Sequence, residues 1–434
     1  MSIRNRKGFS KFYNLRIFHS TSGQAALIFS IALIVRIAVA VLQHAWLHNV
    51  RAEMEREAIS MASTGVLGNA FSVPTGPSAT VPPLYPLIMS VIFRLFGTGV
   101  AGESVKVLLT CLVSSLQYAL IPWVAKRLGL PGAVGLMAGM LGALTPLNPY
   151  IEVQGDFENH LSGLLLLILL AWTEIAGRQQ WSTARAFALG IFYGICTLTS
   201  PSLAPLCFIS FVYLLFRQRR MTPRMPQLAA LLLLGSVLVV APWAARNFVQ
   251  LGSPILTRSN FGLEFSLANN DLASPLMMEN QRLFGCCHPL FSEDEARKVQ
   301  QLGEVEYNAR LKRKTVEWIY EHPARFARLT ALRVWYLWVP KAPEVLRTLA
   351  FRLLSLLSVI GIVLVWRTNR KAALFLLLPL IVYPLPYYLV QIHFRYRYPF
   401  HFIMLLLSCA AVYEFWERFT ATGQHSTATA MRSA

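Results

Sequence analysis

The sequence predicts an all-α polytopic membrane protein, and three observations point to it. Of 434 residues, 55% are hydrophobic and only 14% are charged, whereas a soluble chain carries about 25% charged residues. The apolar residues come in runs of about 16 to 22, close to the length that crosses a hydrocarbon core. The polar stretches between these runs alternate between basic and acid-containing, as loops on opposite sides of a bilayer do.

The runs fall near 24–46, 104–125, 132–150, 159–176, 185–200, 202–216, 227–245, 351–366, 372–390 and 398–416. They predict about ten transmembrane helices. The first reads as a span rather than a cleavable signal, because it is long and no small-residue cleavage site precedes the acids that follow. A further apolar stretch, Pro83 to Gly97, is short, bounded by proline and interrupted by Arg94. It reads as an interfacial or re-entrant helix.

Charge supports this count. The N-terminal segment carries Arg4, Arg6, Lys7, Lys11 and Arg16 without an acid. On the same side the later loops hold Lys126 and Arg127, then Arg178 and Arg185, then Arg217, Arg219, Arg220 and Arg224, then Arg367, Arg370 and Lys371. Short cytoplasmic loops are basic, so both termini are expected in the cytoplasm. The same rule accounts for the net charge of +19, and no nucleic-acid partner is expected. The domain reading is a transmembrane module over 1–245 that includes the 46–103 external loop, an external segment over 246–350, and C-terminal helices with a short tail over 351–434. Within the external segment, Asp294 to Tyr320 has helical content.

Three constellations carry chemistry, all on the non-cytoplasmic face. Glu53, Glu55 and Glu57 follow the first span on a predicted helix from Glu53 to Ser63, with Met54, Ala58, Met61 and Ala62 as its apolar stripe. Glu53 and Glu57 are four apart and share a face. A carboxylate in a partly dry, membrane-proximal cavity suits a general base; a solvated surface helix accounts for the same residues. Asp156 and Glu158 stand at the mouth of the fourth span with His160 beside them. Acids from two loops on one face would divide acid and base work or bind a divalent cation, and a hydrated helix start reads equally well. His393, Arg395 and Arg397 occupy a short loop, HFRYRYP. Arginines in a fixed turn clamp a phosphate, or contact lipid headgroups flanked by Tyr396 and Tyr398.

Other signals are weaker or absent. Cys111, Cys196, Cys207 and Cys409 sit in apolar runs as small core residues. Cys286 and Cys287 precede His288, but adjacent cysteines rarely give one ion tetrahedral geometry. There is no phosphate-binding GxxxxGK[ST] loop, dinucleotide fingerprint, HExxH or Gly-x-Ser-x-Gly elbow. No span is expected to carry a central charge of the kind that proton-coupled transporters use.

Several segments together resemble one family. EMEREAISMASTGVLGNAFSVPTGPSATVPPLYP at 53–86 resembles the first external loop of bacterial GT-C glycosyltransferases, relatives of the protein O-mannosyltransferases and of the aminoarabinose transferase that modifies lipid A. APWAARNFVQLGSPILTRSNFGLEFSLANN at 241–270, the stretch at 288–338 and the FRYRYP loop are similar to later parts of the same group, in the same order. The resemblance implies a GT-C-like fold and a hexosyl or pentosyl donor linked to polyprenyl phosphate. It also implies transfer to a lipid, glycan or protein acceptor at the periplasmic face of the bacterial cytoplasmic membrane.

Carried over residue by residue, the family's first-loop carboxylate is best matched by Glu53, with Glu55 and Glu57 as neighbouring alternatives. The family more often has aspartate there. The second acid is matched by Glu158, with Asp156 next to it, and the donor-phosphate loop by Arg395 and Arg397. Arg246 with Asn247, and Asn260, Glu264, Asn269 and Asn270, are expected to line the sugar site, although loop capping also explains the asparagines. No cofactor is certain; a divalent cation is left open. The competing expectation is a flippase or exporter of a lipid-linked saccharide, which would need a polar path through the spans.

Overall fold

The computed structural model describes residues 20–47, 51–145, 152–153, 157–219, 222–341 and 345–430. The first helix, α1 (Thr21–Leu42), starts at Ser20, whose hydroxyl accepts from the Gly23 N–H at 2.9 Å. α2 (Glu53–Thr64) begins where the Glu55 carboxylate reaches back to the Ala52 N–H at 3.0 Å. It ends at Gly65, whose φ of 77° is a left-handed cap that favours glycine. α3 (Leu84–Phe96), α4 (Val100–Ala119), α5 (Ile121–Leu128), α6 (Gly132–Leu144), α7 (Phe157–Arg178), α8 (Thr183–Thr199), α9 (Ala204–Gln218) and α10 (Met225–Leu251) follow. The 246–350 segment contributes α11 (Phe261–Ala268), α12 (Met277–Phe284), α13 (Glu293–Leu302), α14 (Glu304–Glu321) and α15 (Pro323–Trp338). α16 (Val345–Thr368), α17 (Arg370–Val382), α18 (Leu385–Leu389) and α19 (Tyr398–Ala430) complete the chain. Among the described residues there is no strand; two isolated bridges join Gly68 to Pro77 and Leu276 to Ile392.

Among the described residues, eight helical stretches are long and apolar enough to cross a membrane, so this is a multi-pass membrane protein. Two of the ten predicted spans are shorter. α6 has 13 residues and α8 has 17; at about 1.5 Å per residue, α6 reaches roughly 20 Å against about 30 Å of hydrocarbon. Proline punctuates both. α8 stops at Ser200, which is extended ahead of Pro201, and α6 stops just before Pro146 in the sequence. α3 is a helix of 13 residues.

The membrane helices pack closely through small residues. A Cβ on Gly190 of α8 would stand 2.0 Å from the Leu232 carbonyl oxygen of α10, and one on Gly361 of α16 would stand 1.9 Å from that of Leu407 in α19. The large buried core runs through these helices and includes Leu166, Leu167, Leu376, Phe400 and Leu406.

The expectation that no span carries an inner charge is corrected by Arg36 in α1. It is fully buried, 3.0 Å from the buried Glu152 carboxylate. Its remaining donors go to the Ser114 hydroxyl at 2.7 Å and the Ala143 and Gly142 carbonyls at 3.1 and 3.0 Å. A guanidinium can be held there because its charge and its N–H groups are matched.

The loop after α2 is gripped from three sides. The Ala79 N–H and the Thr80 hydroxyl donate to the buried Glu304 carboxylate of α14 at 2.9 and 3.1 Å, and the Ser259 hydroxyl donates to it as well. Arg246 of α10 donates to the Ser78 carbonyl at 2.7 Å and to the Leu67 carbonyl. Ala70 and Phe71 pack with Leu263, Val299 and Tyr307 of α11, α13 and α14. α2 itself lies on α3, with Ala58 against Tyr85, Met89 and Phe93.

Candidate active site

These elements enclose a cavity of about 750 Å³. Its wall comes from the start of α2, the start of α7, the 246–350 segment and the stretch that leads into α19. The helix α2 delivers its three glutamates to three different settings. Glu53 faces the cavity with its side chain 18% exposed, 3.4 Å from the imidazole Nε2 of His288. Glu55 also touches the cavity but is engaged elsewhere: it accepts from the Ala52 N–H and, at 3.4 Å, from the Tyr85 hydroxyl. It also lies 3.6 Å from Lys106, a buried ammonium of α4 that is 2.6 Å from Glu103.

Glu57 is fully buried behind the cavity and accepts from the Ser78 hydroxyl at 2.8 Å. Burial pushes its carboxyl up to about 8; the nearby Glu304 adds to the rise, while Ser78 and Arg246 oppose it. Glu53 and Glu57 share a helix face as the spacing predicts, but four residues of rise, about 6 Å, carry Glu57 under the packed loop.

Glu158 and Asn159, in the first turn of α7, line the same cavity. Asp156 lies outside the described residues. His160 turns inward and is buried, its ring 5.7 Å from that of Tyr398.

The two arginines of the HFRYRYP loop separate. Arg395 lines the cavity, with its guanidinium 5.5 Å from the Tyr396 ring centroid. Tyr396 in turn stacks on Tyr387 at 4.0 Å. His393 caps this turn by accepting from the Arg395 N–H at 3.2 Å, and burial, reinforced by Arg395, holds it down to about 3, so it is neutral. Arg397 faces the protein interior. It is 2% exposed, donates to the Ser355 hydroxyl at 2.9 Å and lies over the Phe351 ring. In its place the cavity receives Arg258, Arg347 and Arg51. Arg258 lies within the ILTRSNFG stretch after the seventh predicted span, where its basic character is the only sequence signal.

The residues expected to line a sugar site divide in the same way. Glu264 lines the cavity and accepts from the Gln391 side chain at 2.9 Å, and Gln391 accepts from Asn280 at 3.0 Å. This carboxylate–amide chain is a wall of hydrogen-bonding groups, and sequence reasoning found only its first member. Asn260 is buried behind it, 3.5 Å from Glu264. Asn269 is buried and holds the Phe265 and Leu389 carbonyls and the Arg333 guanidinium. Arg246 is occupied in gripping the first external loop. Among the described residues, no three His, Cys, Asp or Glu side chains are grouped to hold a metal ion.

The profile of the dolichyl-phosphate-mannose-protein mannosyltransferase family matches residues 80–243. Over most of the chain the architecture is similar to the oligosaccharyltransferase of the archaeon Archaeoglobus fulgidus. In the form called AglB, in complex with an inhibitory peptide and a dolichol-phosphate, it is 14% identical, with a TM-score of 0.53 over 97% of this chain and 52% of that one. The fold is that of the GT-C glycosyltransferases. The complex with Zn and sulfate matches at 13% identity and TM-score 0.51, over 90% of this chain and 49% of that one. The apo form matches at 14% identity and TM-score 0.52, over 98% and 53%. The chain thus spans about half the length of those structures. No curated protein is significantly similar to it in sequence. The family profile covers α7 and Glu158, and stops short of Glu53 and Arg395.

Proposed function

We propose that the protein transfers a sugar from a polyprenyl-phosphate donor to an acceptor hydroxyl at the outer face of the cytoplasmic membrane, the acceptor being a lipid, glycan or protein. One observation carries this reading: a single cavity holds the Glu53 carboxylate together with Glu158, Arg258 and Arg395. The dolichol-phosphate named in the AglB complex belongs to the same ligand class and supports the reading.

In the proposed reaction the acceptor oxygen attacks the anomeric carbon while its proton passes to Glu53. The bond from that carbon to the phosphate oxygen breaks, and the leaving phosphate keeps the electron pair. Arg395 and Arg258 stabilise the charge that develops on it. Glu158 orients the acceptor from the start of α7, and the Glu264–Gln391–Asn280 wall meets the sugar hydroxyls. Direct displacement at one centre inverts the anomeric configuration. No step is routed through a metal.

The test is transfer of labelled sugar from polyprenyl-phosphate donors in membranes containing the wild type, Glu53→Gln or Arg395→Ala. Wild-type transfer that falls by about 10²-fold or more in Glu53→Gln, at unchanged protein level, supports the proposal. Movement of the intact lipid-linked sugar across the bilayer without transfer overturns it in favour of a carrier.

A further inference from the structure

We infer that His288 is a positioning residue that holds the Glu53 carboxylate ready for the transfer. This rests on the reading of Glu53 as the base. The two residues come from distant parts of the chain and meet only in the cavity, where His288 Nε2 stands 3.4 Å from Glu53 Oε1.

The ring's other nitrogen decides what Nε2 can do. His288 Nδ1 accepts from the Leu290 N–H at 3.0 Å. A ring nitrogen that accepts carries no proton, so the proton of the neutral imidazole sits on Nε2 and points at the carboxylate. At 3.4 Å the contact is long, and such contacts tighten when a reactant complex forms.

The histidine is also fixed in space. Its backbone N–H donates to the Gly285 carbonyl at 3.2 Å, and its carbonyl accepts from Phe291 and Ser292 at 2.9 and 3.0 Å. Ser72, on the loop that follows α2, donates through both its backbone N–H and its hydroxyl to the Pro289 carbonyl at 3.1 and 2.9 Å. The turn that bears His288 is therefore tied to the segment that bears Glu53, and the pair keeps its register.

The chemical consequence is a division of labour within one carboxylate. His288 engages Oε1, which leaves Oε2 to take the acceptor proton as the acceptor oxygen bonds to the anomeric carbon and the phosphate departs. Nothing is transferred to or from the imidazole. The neighbouring Glu55 is excluded from this role because the Ala52 N–H, Tyr85 and Lys106 already hold its oxygens.

The experiment uses the full-length protein and five forms: wild type, His288→Ala, His288→Gln, Glu53→Gln and the double variant Glu53→Gln/His288→Ala. Each is measured for kcat and KM with a labelled polyprenyl-phosphate sugar, and for thermal unfolding. His288→Ala should lower kcat by about 10- to 100-fold with KM near wild type. His288→Gln, which presents an amide N–H but does not titrate, should recover most of that loss. In the Glu53→Gln background, His288→Ala should cost nothing further, because residues that act as a unit are not additive.

Three results overturn the inference: a change in KM alone, glutamine no better than alanine, or full additivity with Glu53→Gln. Additive shifts of Tm across the cycle also overturn it, since they mean that the contact does not form. Should His288→Ala fail to fold, the comparison of His288→Gln with wild type, and with Glu53→Gln/His288→Gln in the same cycle, decides the question. Absence of transfer by the wild type itself overturns the proposed function, and that result is distinguishable because it appears before any substitution is made.

Discussion

The two ends of one short helix, α2, hold the same side chain in opposite circumstances. Glu53 opens onto a cavity that water reaches, beside an imidazole. Glu57, one turn on, is sealed under the 66–83 loop and keeps its proton near neutrality. The HFRYRYP loop repeats the contrast: Arg395 reaches the cavity, while Arg397, two residues later, is buried against Ser355 and Phe351. Reactivity here follows from exposure to the cavity rather than from residue type, because a charged group in a dry interior is consumed in satisfying its own neighbourhood.

This contrast breaks most visibly under glutamate-to-glutamine exchange. Glu53→Gln should abolish transfer with little change in thermal stability, whereas Glu57→Gln should leave transfer near wild type. Parallel assays and melts of the two variants check this, and equal losses of activity would erase the distinction between the two ends.

The arginine pair comes next. Arg395→Ala should reduce kcat/KM by about 10- to 100-fold through lost charge stabilisation. Arg397→Met should act on stability instead, and a kinetic defect at wild-type Tm would place Arg397 in the site after all.

The seal over Glu57 is tested through Glu304. Removing its carboxylate in Glu304→Ala leaves the buried donors of Ala79, Thr80 and Ser259 without their acceptor, at about 1–3 kcal/mol for each unsatisfied group. The melting temperature should fall by several degrees. An unchanged melt would show that the loop is held by its apolar contacts alone.

The smallest effect is in pH. An unfolded chain releases the Glu57 proton near 4.5 and the folded chain near 8, so folding binds that proton. The stabilisation is whole below about 4.5 and declines as pH rises toward 8. Glu57→Gln lacks this decline, so its melting temperature relative to wild type should rise between pH 5 and pH 8. A constant difference across that range would mean that Glu57 is ionised in the folded protein.

Much of this was legible in the sequence, and the exceptions have a common origin. Apolar runs and basic loops indicated the membrane helices, since a bilayer demands length and apolarity from every span whatever packs beside it. α6, which ends just before Pro146, is shorter than its predicted run, and α8, which ends ahead of Pro201, keeps close to its predicted length. Arg36 was passed over because a single charge hardly lowers the hydropathy of a 22-residue run. Its role becomes visible only when Glu152 and the Gly142 and Ala143 carbonyls are seen around it.

The candidate site divides along the same line. Residue type and loop position, together with the family resemblance, pointed to Glu53, Glu158, Glu264 and Arg395, all of which line the cavity. The same signals also picked Arg246, Asn260, Asn269 and Arg397, whose side chains turn elsewhere, and they passed over Arg258, Gln391 and Asn280.

By itself, then, the sequence determined the membrane helices, because these follow from composition and local period. That Glu53 and Glu55 meet the cavity while Glu57 is sealed, which arginine of a pair reaches the cavity, and that His288 stands beside Glu53 were decided by the tertiary structure. Those outcomes depend on contacts between segments far apart in the chain, and no local spacing encodes them.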